Sequence, residues 1–394
     1  MSGRIFLVAA ESSGDALGAD LARALKERDA TLELMGVGGP LMAEEGIQSR
    51  ADTSGLAVLG FVEGLLAYSK VKRAVAAAVQ AILAAKPDVV VLIDSWGFTL
   101  RVAQSFRAVA PHIKLVKYIG PQVWATRPGR AKTLAATVDH LICIHDFEVP
   151  YYTPHGLACT VAGHPALGRF KPGDGPALKA REGFKPKERV VLVLPGSRPA
   201  EVRRIGPTLW RAAEMLDAGR KDVRLLVVAA HAVRKAVVEQ APAVARIVGE
   251  REKEDAFAAA TVALAASGTV TTEVALQGAP VIVGYKLNWL TWAMARLVFK
   301  GKYVTLMNVA ADAEIVPEFL QTKFTAENIA RAAAPLLDDE DLREEQVRRQ
   351  DEALAKMGRG GRPAAEIAAE AVLKVMSAQK ERGSTNPHLT APSQ

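Results

Sequence analysis

The sequence contains little cysteine, no metal-binding motif and no long hydrophobic run. Its only cysteines among 394 residues are Cys143 and Cys159, and they form no C-x-x-C pair. A disulfide framework or a zinc site is therefore not supported, and a reducing compartment, the cytosol, is expected. The seven histidines show no H-E-x-x-H or similar spacing, so we assign no metal site.

No apolar run reaches the ~18 residues that a membrane span requires. The apolar run IFLVAA ends at Glu11 and is too short for a secretory signal. Aromatic residues make up 6% of the chain and are not interleaved with basic residues on strand-like segments. A nucleic-acid surface is therefore weakly supported, and no nucleic-acid partner is expected.

The chain is nevertheless rich in core-forming and basic residues. Hydrophobic residues make up 49%, enough for two domains with separate cores. Fifty Lys and Arg face 43 Asp and Glu, a formal net charge of +7 that favours anionic partners such as nucleotides or phospholipids.

Apolar runs alternate with Ala-rich stretches of helical period along most of the chain. Such near-continuous apolar strands predict parallel sheets covered by helices on both faces. The predicted strands are RIFLVAA, DVVVLID, KLVKYI, HLICI, RVVLVLP, VRLLVVAA, ATVALAAS and APVIVGY. We therefore expect an α/β fold of two Rossmann-like domains whose strand ends face a central cleft.

Composition also sets the expected domain boundaries. Residues 1–165 form the first domain, and the Gly-, Pro- and charge-rich residues 166–187 form a linker. Residues 188–340 form the second domain. Residues 341–380 form C-terminal helices, which by analogy with such folds can pack back on the first domain, and residues 381–394 form a disordered tail.

Two strand-to-helix turns of the second domain are candidate anion sites. In LPGSRP, the turn at Gly196 and Ser197 precedes a helix, and Arg198 offers a bidentate partner for a diphosphate. An ordinary turn with an exposed arginine is the less favoured interpretation. In SGTVTTE, residues 267–269 bring hydroxyl and N–H groups to a second turn. Glu273, one turn later, suits either a ribose diol or the helix dipole.

Two turns of the first domain are less decisive. Asp94 ends the strand DVVVLID at the edge of the expected crevice, where it can serve as a general base or cap the next turn. Residues 12–14 form either a ligand-contacting loop or a helix start. Residues 55–73 and 287–303 combine apolar and basic side chains, which suits either a membrane-surface segment or a buried one.

Taken together, the motifs resemble those of the lipid-A-disaccharide synthase family. In the family's order, the chain contains AAESSGDALGADLARALK, GVGGPLMAEEG, LAVLGFVE, VVLIDS, YIGPQVWA, VAGHP, LPGSRPAEV, ASGTVTTEVAL and PVIVGYK. The resemblance runs from about residue 5 to 318. It implies an inverting glycosyltransferase of GT-B architecture that needs neither metal nor cofactor.

The resemblance also implies substrates and a location. The donor would be UDP-2,3-diacylglucosamine and the acceptor 2,3-diacylglucosamine 1-phosphate, with UDP released. The enzyme would sit peripherally on the cytoplasmic face of the inner membrane of a Gram-negative bacterium, against an anionic membrane surface. A homodimer is left open.

Carried over residue by residue, the resemblance implies individual roles. Asp94 is expected to be the general base and Arg198 to neutralise the leaving diphosphate. The nucleotide site is expected to comprise Gly196, Ser197, Arg198, Ser267, Gly268, Thr269, Glu273 and Asn308, with Glu273 on the ribose and Asn308 lining the donor site.

Several family motifs are altered. The usual DSPDFN reads DSWGFT here, so the acidic residue three places after Asp94 is lost. VWAWR has become VWATR, PFE has become DFE, and LPNLL has become LMNVA. Two other interpretations therefore stay open: a soluble enzyme like UDP-N-acetylglucosamine 2-epimerase, and a non-catalytic protein that binds UDP or lipid.

Overall fold

A computed structural model describes residues 3–51, 64–288, 292, 299 and 301–384. The chain divides into two compact units. The first comprises Met1–Gly168 and Arg362–Gln394, and the second comprises Arg169–Gly361.

One parallel sheet organises the described part of the first unit. Its strands are β1 (Arg4–Val8), β2 (Glu33–Val37), β3 (Val89–Ile93), β4 (Lys114–Tyr118), β5 (His140–Cys143) and β6 (Ala158–Val161). Their order is β2-β1-β3-β4-β5-β6, and all neighbours pair in parallel. Every residue of β3 is buried, as expected for an apolar strand covered on both faces.

Helices lie between these strands. They are α1 (Ser12–Arg28), α2 (Pro40–Glu44), α3 (Gly64–Ala85), α4 (Trp96–Val109), α5 (Gly129–Ala135), α6 (Val149–Tyr152) and α7 (Pro165–Gly168). Side chains of α3 and α4 share one core with Phe6 and Val90, while α1 packs on the opposite face with Ile5 and Leu7. The sheet is thereby covered on both sides.

A second parallel sheet organises the second unit. Its strands are β7 (Arg189–Leu194), β8 (Val223–Ala229), β9 (Arg246–Gly249), β10 (Val262–Ala266), β11 (Val281–Tyr285) and β12 (Glu318–Leu320). Within the described residues their order is β12-β11-β10-β7-β8-β9. The α/β architecture predicted from the apolar runs, with parallel sheets and helices between the strands, is confirmed.

The helices of this unit follow the same alternation. They are α8 (Gly175–Arg181), α9 (Pro199–Asp217), α10 (Arg234–Gln240), α11 (Lys253–Ala259), α12 (Val270–Leu276), α13 (Leu306–Ala311), α14 (Ala326–Asp338) and α15 (Glu340–Lys356). Helices α9 and α14 supply many of the apolar side chains packed on β7, β8 and β10.

The two C-terminal helices divide between the units. Helix α15 belongs to the second unit, whereas α16 (Ala364–Ser384) belongs to the first and packs against α1. Ala368 and Val372 of α16 are fully buried in the core that also contains Ile5 and Leu7.

Helix α15 is attached to β11 through two buried glutamines. The side-chain oxygen of Gln350 accepts a 3.0 Å hydrogen bond from the Val281 amide, and its nitrogen donates to the Ala279 carbonyl at 3.0 Å. Gln346 donates to the Val281 carbonyl at 2.9 Å. Because both glutamines are buried, these bonds satisfy backbone groups that water does not reach.

The two stretches that suit either a membrane surface or a buried position lie partly outside the described residues. This holds for residues 55–63 of the first stretch and for 289–291, 293–298 and 300 of the second. Residues 64–73 begin α3. Among the helices that the structure describes, none is long and apolar enough to cross a bilayer. Most of the tail predicted to be disordered, residues 385–394, is likewise not described.

The Gln350 contact can be tested by substitution. Gln350→Leu should lower the free energy of unfolding by roughly 1–3 kcal/mol, because the buried Val281 amide loses its partner. Urea denaturation followed by circular dichroism measures this change. The control is Gln104→Leu, at an exposed position of α4, which should shift stability by less than about 0.5 kcal/mol. Equal effects of the two variants would show that the hydrogen bond between Gln350 and the Val281 amide does not stabilise the fold.

Candidate functional site

The strand order of the second sheet reverses between β7 and β10. The chain leaves β7 toward β8 on one side and leaves β10 toward β11 on the other, although β7 and β10 are neighbours. In open parallel sheets, a crevice forms at the carboxyl ends of two such strands. The PGSR turn follows β7 and the SGT turn follows β10, so both motifs lie at this reversal point.

A pocket of about 440 Å³ occupies this position. Seven residues of the predicted nucleotide site line it, namely Gly196, Ser197, Arg198, Ser267, Gly268, Thr269 and Glu273. The two motifs are about seventy residues apart in the chain, and the pairing of β7 with β10 brings them together.

The PGSR turn presents an amide and a guanidinium to one carboxylate. Gly196 has a φ of +113°, which favours glycine. The Ser197 amide donates to Glu201 Oε2 at 3.2 Å, and the Arg198 guanidinium donates to Glu201 Oε1 at 3.0 Å. Because the Arg198 side chain is 78% exposed, its guanidinium remains accessible to a ligand.

Glycine is also required at position 196 by the approach of this carboxylate. A Cβ at Gly196 would lie 2.7 Å from Glu201 Oε2. Glu201 stands in the first turn of α9, where a carboxylate can accept bonds from amides near the helix start. The sequence analysis did not single out Glu201, although its place three residues after Arg198 in a Pro-started helix was a usable signal.

The second notable pair in the pocket is Glu273 and Lys253. Glu273 Oε2 accepts a 2.8 Å hydrogen bond from Lys253 Nζ, and both side chains are about one-third exposed. Burial lowers the pKa of Lys253, but the hydrogen bond and charge of Glu273 outweigh this, so that the pKa lies above its ordinary value. The ammonium thus stays charged and orients the Glu273 carboxylate. No motif marked Lys253 in the sequence.

Asn308 does not line this pocket. It is fully buried, and its side-chain oxygen accepts from the amides of Ile315 and Val316 at 2.9 and 2.8 Å. Its side-chain nitrogen donates to the Val316 carbonyl at 2.8 Å. These bonds fix the loop before β12, and a role of Asn308 at the donor site stays a prediction.

Asp94 lies at the point where the strand order of the first sheet reverses. This point is between β1 and β3, and Asp94 directly follows β3. Ser13, in the first turn of α1, donates from Oγ to Asp94 Oδ2 at 3.0 Å. Ser95 donates to Glu11 Oε1, also at 3.0 Å. Residues 12–14 begin α1, and Ser13 among them also contacts the candidate base.

The second oxygen of Asp94, Oδ1, has no hydrogen-bond partner among the residues that the structure describes. A carboxylate with one oriented and one unbonded oxygen can accept a proton from an alcohol placed beside it.

A larger groove of about 1090 Å³ lies elsewhere in the second unit, along α15 and the start of β7. Its walls mix acidic and basic side chains, including Arg189, Arg348 and Asp351, and contain none of the predicted site residues. The smaller pocket, which the predicted site residues line, is therefore the better candidate for the functional site. Over the described ranges, no cluster of three or more His, Cys, Asp or Glu could hold a metal ion.

Comparison with known sequences identifies the family of the chain. A family model described as lipid-A-disaccharide synthetase matches residues 5–372. Lipid-A-disaccharide synthase from Rhodospirillum centenum is 39% identical over 380 residues, covering 95% of this chain and 94% of the relative. The enzyme of the same name from Ruegeria pomeroyi is 38% identical over 384 residues, covering 94% of each chain.

Solved structures share the fold at low identity. A putative UDP-N-acetylglucosamine 2-epimerase from Listeria monocytogenes has a TM-score of 0.61 at 15% identity, covering 97% of each chain. The S. aureus MnaA-UDP co-structure has a TM-score of 0.60 at 15% identity, covering 100% of this chain and 99% of that one. The spinosyn rhamnosyltransferase SpnG, complexed with spinosyn aglycone, scores 0.53 at 13% identity, covering 93% and 100%.

The anion-binding role of Arg198 can be measured without a sugar. Arg198→Ala should weaken binding of inorganic diphosphate at least about tenfold, since a charge-assisted bond is worth roughly 1.5–3 kcal/mol. Isothermal titration calorimetry gives both affinities. The matched control is Arg211→Ala, which removes an exposed arginine of α9, the helix that follows Arg198. Arg211 pairs with Glu214 in the same i,i+3 spacing as Arg198 with Glu201. Equal losses of diphosphate affinity in both variants would show that Arg198 acts only through the net charge of the protein and not as a specific ligand contact.

Proposed function

The chain belongs to the lipid-A-disaccharide synthase family, and we propose that it transfers 2,3-diacylglucosamine from UDP to 2,3-diacylglucosamine 1-phosphate. It is a glycosyltransferase of lipid A biosynthesis. The proposal extends this to the bond formed, from the donor's anomeric carbon to the acceptor's 6-hydroxyl, with inversion and release of UDP.

The observation that carries the proposal is the pocket at the β7–β10 reversal point. A guanidinium at Arg198, hydroxyls at Ser267 and Thr269, and a carboxylate at Glu273 all line this one pocket of about 440 Å³. We assign Arg198 and the turn amides to the diphosphate and Glu273 to the ribose diol. Glu273 accepts from Lys253 through Oε2, so its other oxygen can receive a ribose hydroxyl.

Asp94 is the proposed general base. Its carboxylate takes the proton of the acceptor's 6-hydroxyl as that oxygen attacks the anomeric carbon. The bond from this carbon to the diphosphate oxygen breaks in the same displacement, and UDP leaves with the electron pair. Arg198 stabilises the negative charge that develops on the diphosphate.

The altered DSWGFT motif makes this assignment specific. The usual second carboxylate of the motif is replaced by Gly97, so Asp94 is the only acidic residue between positions 94 and 99. A base supplied by this segment must therefore be Asp94.

We further infer peripheral attachment to the cytoplasmic face of the inner membrane. The formal charge of +7 and the anionic lipid substrates of the proposed reaction support attraction to an anionic bilayer. An epimerase-like function is less well supported, because the likeness to epimerases is 15% in sequence and concerns the fold alone.

The reaction assay uses the full chain in mild detergent with both lipid substrates, followed by mass spectrometry and a UDP-release assay. A tetraacyl disaccharide 1-phosphate formed together with UDP supports the proposal. UDP binding without product would favour the non-catalytic interpretation. Flotation with anionic liposomes separates the membrane enzyme from a soluble epimerase, which would stay in solution.

Replacing the base should stop the chemistry while sparing the donor site. Asp94→Asn should lower the rate of transfer at least about a hundredfold, the usual contribution of a general base. UDP affinity, measured by calorimetry, should stay within about twofold of the parent value, since Asp94 lies outside the UDP pocket. Asp20→Asn, on α1, is the matched control and should be fully active. Unchanged turnover by Asp94→Asn would remove Asp94 from the mechanism.

Replacing the proposed ribose contact should act on binding. Glu273→Gln should weaken UDP binding about fivefold to tenfold, because the charged acceptor proposed for the ribose diol is lost. The control is Glu254→Gln, since Glu254 lies 3.9 Å from the same lysine but does not line the pocket. A UDP affinity unchanged in Glu273→Gln would contradict the ribose assignment.

A further inference from the structure

A buried lysine lies directly beneath the proposed base. Lys117 is in β4, next to β3, and only 2% of it is exposed. Its Nζ donates to the Leu92 carbonyl at 3.3 Å, to Thr99 Oγ1 at 3.1 Å and to the carbonyl of Asp94. A protonated amine has three N–H groups, which match these three acceptors.

The ammonium is costly to place there. Burial lowers the pKa of Lys117 to about 7, against the opposing charge of Asp94. Hydrogen bonds to the end of β3, to Asp94 and to Thr99 must offset this cost. The position of Lys117 is therefore tied to the loop after β3.

That loop has an unfavourable backbone. Asp94 and Ser95 have φ values of +47° and +39°, a region that non-glycine residues occupy at a cost of roughly 1–3 kcal/mol each. The direction in which the Asp94 carboxylate leaves the strand depends on this conformation. Any group that stabilises it also fixes the position of the carboxylate.

Contacts from β4 and α4 hold the Asp94 backbone from both sides. Its amide donates to the Tyr118 carbonyl at 2.9 Å. Its carbonyl accepts from Lys117 Nζ and, at 2.7 Å, from Thr99 Oγ1. Lys117 thus joins the strand, the helix hydroxyl and the strained residue in one buried network.

We propose that Lys117 is a positioning residue for the transfer reaction, which holds the backbone of Asp94 so that its carboxylate faces the acceptor hydroxyl. The inference rests on the proposed function, because it takes Asp94 as the general base. Lys117 touches no substrate in this account and acts only through Asp94. Thr99 is the second positioning residue, since its hydroxyl also donates to the Asp94 carbonyl.

The test compares Lys117→Met with the full-length parent enzyme in the detergent assay. Methionine keeps the length of the side chain and removes the donor. Turnover should fall at least about tenfold, while the KM for the UDP donor stays within about twofold, because the donor pocket is untouched. The melting temperature should fall as well, since buried acceptors lose their donor. Turnover is therefore measured well below that temperature, where a merely structural lysine would leave the turnover of the folded enzyme unchanged.

The matched control is Lys114→Met in the same strand. Lys114 is one-third exposed and pairs with Asp139 at 2.7 Å, so its removal should leave turnover within about twofold. Should Lys117→Met not fold, Thr99→Val carries the test, because it removes the other side-chain donor to the Asp94 carbonyl. A folded Thr99→Val enzyme with parental turnover would then overturn the proposal.

A double-mutant cycle separates this inference from the proposed function. If Lys117 acts through Asp94, Lys117→Met should not lower further the residual turnover of Asp94→Asn. An inactive Asp94→Asn beside a fully active Lys117→Met would leave the base in place and refute the role of Lys117. A fully active Asp94→Asn would refute the base itself, and with it the positioning role.

Discussion

A parallel sheet covered on both faces leaves only the ends of its strands for chemistry. The central strands β3 and β10 are apolar and buried along their whole length, so polar groups first appear where these strands end. The strand order decides which ends lie side by side. The reversal between β7 and β10 brings two distant turns into one pocket, and the reversal between β1 and β3 places Asp94 beside the start of α1.

This constraint explains what the sequence could predict. All eight strands predicted from apolar runs are present, because central parallel strands need no polar face. The strands that the sequence analysis missed, β2, β6, β9 and β12, lie at or next to the sheet edges and are only partly buried. Their mixed composition gives no continuous apolar signal.

The same reasoning separates the site residues. The PGSR and SGT turns were predictable, since each is a local feature between a strand and a helix. Lys253 and Lys117 were not, because each acquires its partner through strand or helix packing across the chain, with Glu273 twenty residues away and Asp94 twenty-three. Asn308 was assigned by resemblance, and its hydrogen bonds with the amides of Ile315 and Val316 were not predictable, because they depend on how the loop before β12 folds.

The hydrogen bonds of Glu201 bear on how the pocket discriminates among anions. The Arg198 guanidinium and the Ser197 amide already have a carboxylate as their partner, at 3.0 and 3.2 Å. An incoming anion that takes the Ser197 amide or this guanidinium N–H must therefore exchange with an internal competitor that is tethered at high effective concentration. Singly charged ions such as chloride compete poorly under these conditions, whereas a ligand with several phosphate oxygens can displace the carboxylate. The pocket would thus remain selective in a solution rich in small anions.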